Sequence, residues 1–175
     1  MDNPTSLRAY CATRRHLSGG NACAALLDVD NAGPLAPEEY HHPSVEHLHL
    51  HFNNIASWGN DLHGIHTEAH EPDQNRNMVL LFAAQGHSLQ EGIDYTARRV
   101  RDEIAAFQEE ATRLERDASK ELRGYISGMR EWLMGDQDWA DLVTHRYLAK
   151  FAEQDADDRG IQLASRGITT GAAPS

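Results

Sequence analysis

The sequence predicts an all-α fold, and three observations carry that expectation. Apolar residues recur at three- and four-residue intervals in segment after segment. Those segments open on helix-start chemistry, with Asn21, Pro43 and the Ser88/Glu91 pair at their heads. No alternating strand pattern or internal repeat competes with them. At 175 residues the chain is long enough for one domain with its own core.

Ser6 to Leu17 reads as an amphipathic helix stopped by Ser18-Gly19-Gly20. Asn21 is expected to cap a second helix running through Cys23 and Leu27 to about Asp30. Gly33-Pro34 and Pro37 make a loop. Pro43 then opens the longest segment, with Val45, Leu48, Phe52, Ile55 and Leu62 at helical spacing. The polar run Glu71-Pro72-Asp73-Gln74-Asn75 ends it. Asn77 to Ala84 is a short apolar helix closed by Gln85-Gly86. Ser88 and Glu91 form a capping box for a helix carrying Ile93, Val100, Ile104, Phe107 and Leu114 on its apolar face. A further helix from Lys120 to Met134 is expected to stop at Gly135, with one or two turns between Asp138 and Phe151.

A net charge of −11 and a pI near 5.4 argue against nucleic acid as a partner, since such binders present a basic face. No apolar run is long enough to span a membrane, and Met1-Asp2-Asn3-Pro4 lacks the order of a signal peptide. Cys11 and Cys23 have neither disulfide-framework nor metal-knuckle spacing. A reduced, cytoplasmic setting is therefore expected.

The segment that carries chemistry is Asn60-Asp61-Leu62-His63-Gly64-Ile65-His66-Thr67-Glu68. Asn60, Gly64 and Glu68 are four residues apart and stack along one helix face. Asn60 and Glu68 then offer oxygen ligands about two turns apart, with room for a water over Gly64. Oxygen donors with a retained water suit Mg²⁺, which often bridges to a substrate phosphate.

This stretch resembles the second metal motif of class I terpene synthases, N-D-x-x-S/T/G-x-x-x-E. The resemblance implies that Asn60 and Glu68 hold one Mg²⁺, with a water completing the shell at Gly64. Tyr10-Cys11-Ala12-Thr13-Arg14-Arg15-His16-Leu17-Ser18-Gly19 is similar to the family's helix-break segment. On that pattern Arg15 senses the diphosphate, Ser18 is the linker and Gly19 the effector; Arg14 is the second choice of sensor. Arg15 precedes Asn60 by 45 residues, close to the family's spacing. The run from Tyr125 to Trp139 resembles the family's late helix and following loop, which lead to an Arg-Tyr pair. The resemblance makes Arg146 a diphosphate ligand, a role its planar fork suits, and Tyr147 a cap on the closed pocket. Ala140 stands where Ser is usual, and the run to Arg146 is one residue longer than the pattern. Asn75-Arg76-Asn77-Met78 and Gly86-His87-Ser88-Leu89-Gln90 match connecting segments.

The implied protein is a Mg²⁺-dependent lyase of the microbial sesquiterpene type. It would ionise and cyclise a prenyl diphosphate, with farnesyl diphosphate as the expected substrate. The family's Asp-rich D-D-x-x-D/E motif has no counterpart ahead of Arg15, and Asp155-Ala156-Asp157-Asp158 reads as solvated charge. Residues 1–151 are thus expected to be the C-terminal half of the helical terpenoid-synthase fold, and 152–175 a disordered tail. Such a half exposes apolar faces, so aggregation, a homodimer or a loose fold is expected, and without the Asp-rich motif the chain is expected to be inactive alone. The alternative is a non-catalytic helical module that binds diphosphate or pairs with another chain. The histidines supply a rival metal reading: His47, His49 and His51 alternate, and His63, His66 and His70 recur at helical spacing.

Overall fold

The computed structural model describes residues 6–30, 34–69 and 77–143, and every described element is helical. The helices are α1 (Leu7–Leu17), α2 (Gly20–Asp30), α3 (Pro37–Tyr40), α4 (Pro43–Glu68), α5 (Met78–Ala83), α6 (Leu89–Leu114) and α7 (Lys120–Asp138), followed by a π-helical turn over Trp139–Val143. The all-α expectation holds. The segment after Val143, with Arg146 and Tyr147, and the tail lie outside the described residues.

Local chemistry sets the helix starts. The Ser6 hydroxyl accepts from the Ala9 amide at 3.2 Å and caps α1. Asn77 caps α5, its Oδ1 accepting from Val79 at 2.9 Å and Leu80 at 3.4 Å. At α6 the box is reciprocal: Glu91 N–H donates to Ser88 Oγ at 3.2 Å, and Ser88 N–H donates to Glu91 Oε2 at 2.8 Å. Ser119 caps α7 through the Leu122 amide at 3.0 Å.

Two boundaries differ from the sequence reading. Asn21 is not the cap of α2, because the helix already begins at Gly20 and the Gly19 carbonyl accepts from the Ala22 and Cys23 amides at 2.9 and 3.1 Å. Gly135 does not stop α7, which runs on to Asp138. A glycine ends a helix by taking a left-handed conformation. Among the described residues only Gly19 and Gly86 do so, with φ of +78° and +99°.

α4 is the central helix. Val45, Leu48 and Phe52 on it join Ala24 of α2, Phe107 and Ala111 of α6, and Leu122, Tyr125, Ile126 and Met129 of α7 in the main core. Further along, Trp58 packs with Tyr10 of α1 and with Met78 and Leu81 of α5. Ile65 meets Val79 and Leu80. α4 is therefore covered by neighbours on most of its circumference, which explains why it carries buried polar side chains at Asn53, Asn54, Ser57 and Asp61. Ile55, packed at the margin of the core, and the more exposed Ile104 line an open apolar groove of about 520 Å³ between α4, α6 and α7.

Candidate functional site

The last turns of α4 meet two other elements, α1 and the start of α5. Asn60 and Asp61 are adjacent in sequence and so lie about 100° apart around the helix. Asp61 turns inward and is fully buried. Its carboxylate accepts from Arg14 Nε at 3.1 Å and Arg14 Nη2 at 3.0 Å, from the Met78 amide at 3.0 Å and from the Tyr10 hydroxyl. Burial pushes the Asp61 pKa up to about 6, against the opposing pull of Arg14 and the hydrogen bonds from Tyr10 and Met78. The Tyr10 hydroxyl is driven well above its ordinary value by burial first and by the neighbouring Asp61 charge second.

Arg14 reaches one residue further. Its Nη2 donates to Asn60 Oδ1 at 3.0 Å. Tyr10 and Arg14 are four residues apart, so one face of α1 delivers both to α4. Arg15, the next residue, points elsewhere: its Nε donates to the Ala12 carbonyl of its own helix at 3.3 Å. The two arginines of α1 are thereby separated, Arg14 into the buried network and Arg15 onto the half-buried outer side.

Immediately after them the chain breaks. Gly19 takes a φ of +78°, a conformation open to glycine at little cost. Ser18 Oγ donates to the Arg15 carbonyl at 3.2 Å and accepts from the Gly20 amide at 3.4 Å, bridging the break. Gly20 is buried, and a Cβ on it would lie 2.3 Å from Asn53 Oδ1. The expected helix break at Ser18-Gly19 is present, seated directly on α4.

Glu68 folds back toward Gly64. A Cβ on Gly64 would lie 2.7 Å from Glu68 Oε1, so the missing side chain leaves the space that this carboxylate oxygen takes. Glu68 Oε2 accepts from Asn77 Nδ2 at 2.9 Å. Asn60 and Glu68 are thus hard oxygen donors on one face of one helix, each already oriented by a neighbour. That donor set fits a small oxygen-seeking cation.

The described histidine side chains do not converge. His49 Nε2 lies 2.8 Å from the Tyr125 hydroxyl, and burial lowers its pKa. His51 pairs with Glu103 of α6 at 2.6 Å. His63 lies 3.1 Å from Gln137 Nε2 near the end of α7 and 3.8 Å from Asp141 in the π-helical turn that follows. His70 and the side chain of His66 fall outside the described residues. Among the described residues no group of three or more His, Cys, Asp and Glu side chains is placed to hold a metal ion.

Residues 2–106 match the model for terpene synthase family 2, C-terminal metal binding. The chain belongs to this family. Among curated terpene synthases it is 46% identical over 153 residues to a (+)-corvol ether B/(+)-corvol ether A synthase of Kitasatospora setae, described as cyclising (2E,6E)-farnesyl diphosphate; the match covers 87% of this chain and 48% of that protein. It is 44% identical over 163 residues to a sesquiterpene synthase of Metarhizium brunneum, covering 91% of this chain and 48% of that one. The chain therefore spans about half the length of the curated terpene synthases it matches. A structure titled T181N cucumene synthase superimposes with a TM-score of 0.67 at 16% identity, over 78% of this chain and 47% of that one, and shares its fold. No helix among the described residues is long and apolar enough to cross a membrane.

Sequence reasoning missed one residue of this candidate site and ranked another second. Asn77 was legible only as a helix start, and its second amide face, turned to Glu68, has no local signature. Arg14 was legible as a second-choice sensor. Its spacing from Tyr10 marked a shared helix face, but not which face α4 would meet.

Proposed function

We propose that this chain is the metal- and diphosphate-binding part of a Mg²⁺-dependent sesquiterpene synthase, acting on farnesyl diphosphate. The observation that carries the reading is the seating of Gly20, directly after the Gly19 break, against Asn53 of α4, the helix whose end presents Asn60 and Glu68. A bound Mg²⁺ supplies positive charge to the diphosphate leaving group, which no side-chain acid can protonate well at neutral pH. Asn60 and Glu68 would hold that ion through oxygen; the space over Gly64, expected to take a water, is filled instead by Glu68 Oε1.

Arg15 reaches the diphosphate from the half-buried side of α1, and Ser18 and Gly19 couple its movement to the break. Arg146 adds a second guanidinium and Tyr147 closes the pocket; both roles rest on resemblance alone. Relatives named as farnesyl diphosphate cyclases and sesquiterpene synthases support the substrate class. The chain operates in the cytoplasm.

A second reading has its own observation. Leu17, Leu26, Val29 and Leu142 are each more than half exposed, large apolar side chains that a second chain could cover. On that reading the chain is a diphosphate-binding module that pairs with another copy.

The test is Mg²⁺-dependent turnover of farnesyl diphosphate by the purified chain, following diphosphate release and volatile hydrocarbon together. Turnover abolished by Asn60→Ala or Glu68→Ala supports the synthase. Mg²⁺-dependent diphosphate binding without turnover supports the module. Loss of both activities in the wild type rejects the site.

A further inference from the structure

Asn77 lies outside the nine-residue motif, yet it is only 1% exposed and uses every hydrogen-bonding position of its amide. One Nδ2 hydrogen goes to the Asp61 carbonyl at 2.7 Å and the other to Glu68 Oε2 at 2.9 Å. Its Oδ1 receives the Val79 and Leu80 amides that open α5. Reversing the amide would break all of these bonds, so its orientation is fixed by α4 and α5 together. Glu68 Oε2 is committed to Asn77, which leaves Oε1 over Gly64.

Asn60 is held in a parallel way. Arg14 grips its Oδ1, and Arg14 is itself fixed by the Asp61 carboxylate. Asp61 thus anchors both arms, one through its side chain and the other through its backbone carbonyl. We propose that Arg14 and Asn77 are positioning residues that hold Asn60 and Glu68 in register for the metal, with Asp61 as their common anchor. This rests on the metal reading above and extends it to the residues that set ligand geometry.

Outer partners of metal ligands typically govern affinity by about 10- to 100-fold. The test is Mn²⁺ binding by the chain in the presence of inorganic diphosphate, read from the electron paramagnetic resonance signal of free Mn²⁺. Asn77→Ser keeps a side chain that caps α5 but removes the donor to Glu68. It is expected to bind Mn²⁺ about 10- to 100-fold more weakly while keeping the helical circular dichroism of the wild type. Asn77→Asp keeps shape and cap, sets a carboxylate against Glu68, and is expected to weaken binding in the same direction. Arg14→Lys retains the charge beside Asp61 but cannot fork to Asn60, with the same expectation.

Asn60→Ala and Glu68→Ala separate the two levels of the argument. If neither alters Mn²⁺ binding, the metal reading falls and the brace with it. If both abolish binding while Asn77→Ser, Asn77→Asp and Arg14→Lys bind as tightly as the wild type, the metal reading stands and the brace is wrong.

Discussion

Gly92→Ala is the substitution whose outcome follows most directly from the packing. Gly92 lies in the first turn of α6, buried against α5. A Cβ there would sit 2.6 Å from the Val79 carbonyl oxygen, 3.1 Å from Val79 Cγ1 and 3.3 Å from the Val79 carbonyl carbon. Two of these neighbours are backbone atoms, which cannot swing aside as a side-chain tip does. Relief requires α5 and α6 to part by several tenths of an ångström, and overpacking of that kind costs about 1–3 kcal/mol. Alanine returns up to about 1 kcal/mol of helix propensity, so the net loss is roughly 1–2 kcal/mol. For a chain of this size that lowers the melting temperature by about 2–8 °C. Gly135→Ala is the control, because a Cβ there meets nothing within 4 Å and α7 runs straight through. It should stabilise by up to about 1 kcal/mol. Thermal and urea melts of the two variants must therefore shift in opposite directions. A Gly92→Ala protein as stable as Gly135→Ala would refute the close approach of α5 and α6. Because Asn77 caps α5, the same shift should also weaken Mn²⁺ binding.

Gly19→Ala places a Cβ on a residue with φ of +78° but in open space, so the cost is conformational strain alone, about 1–2 kcal/mol, measurable by urea melt. Asp61→Asn removes a carboxylate whose pKa rises from 3.8 to about 6 on folding. A raised folded-state value means that protonation favours the folded chain: the contribution is full below pH 3.8 and lost as pH rises through about 6. Relative to Asp61→Asn, the wild type should therefore lose stability, on the order of 2 kcal/mol, between pH 4 and pH 7. A difference that grows in the wild type's favour with rising pH would mean that the Arg14 attraction outweighs burial. Tyr125→Phe removes a hydroxyl bonded to the Ala24 carbonyl at 3.1 Å and to His49 Nε2 at 2.8 Å. Stability should fall by about 1–3 kcal/mol in denaturant melts, since the Ala24 bond is buried and the His49 bond part-buried.

Local signals were legible wherever the physics is local. The Ser88/Glu91 box, Pro43 in the first turn of α4 and the break at Ser18-Gly19 each depend on a handful of neighbouring residues, and each is found in place. The fold class followed from the same periodicity. Gly135 misled because a glycine interior to a helix and one that ends it look alike in sequence. The difference lies in φ, which packing decides. Ile104 misled in another way: an apolar stripe reports which face avoids water, not whether a neighbour comes close enough to seal it.

The candidate site divides along the same line. Asn60, Gly64 and Glu68 could be placed on one face from spacing alone, because a single helix carries all three. What holds them could not, since Arg14 meets Asp61 across 47 residues and the Asn77 amide must be turned by contacts with two helices at once. The motif supplies ligand chemistry, whereas its geometry is imposed from α1 and α5. A substitution in either helix can therefore disable the site without touching a motif residue. Asp61 makes the dependence sharpest: it stands inside the motif yet faces the core, and its burial is tolerated only while Arg14, Tyr10 and Met78 satisfy it.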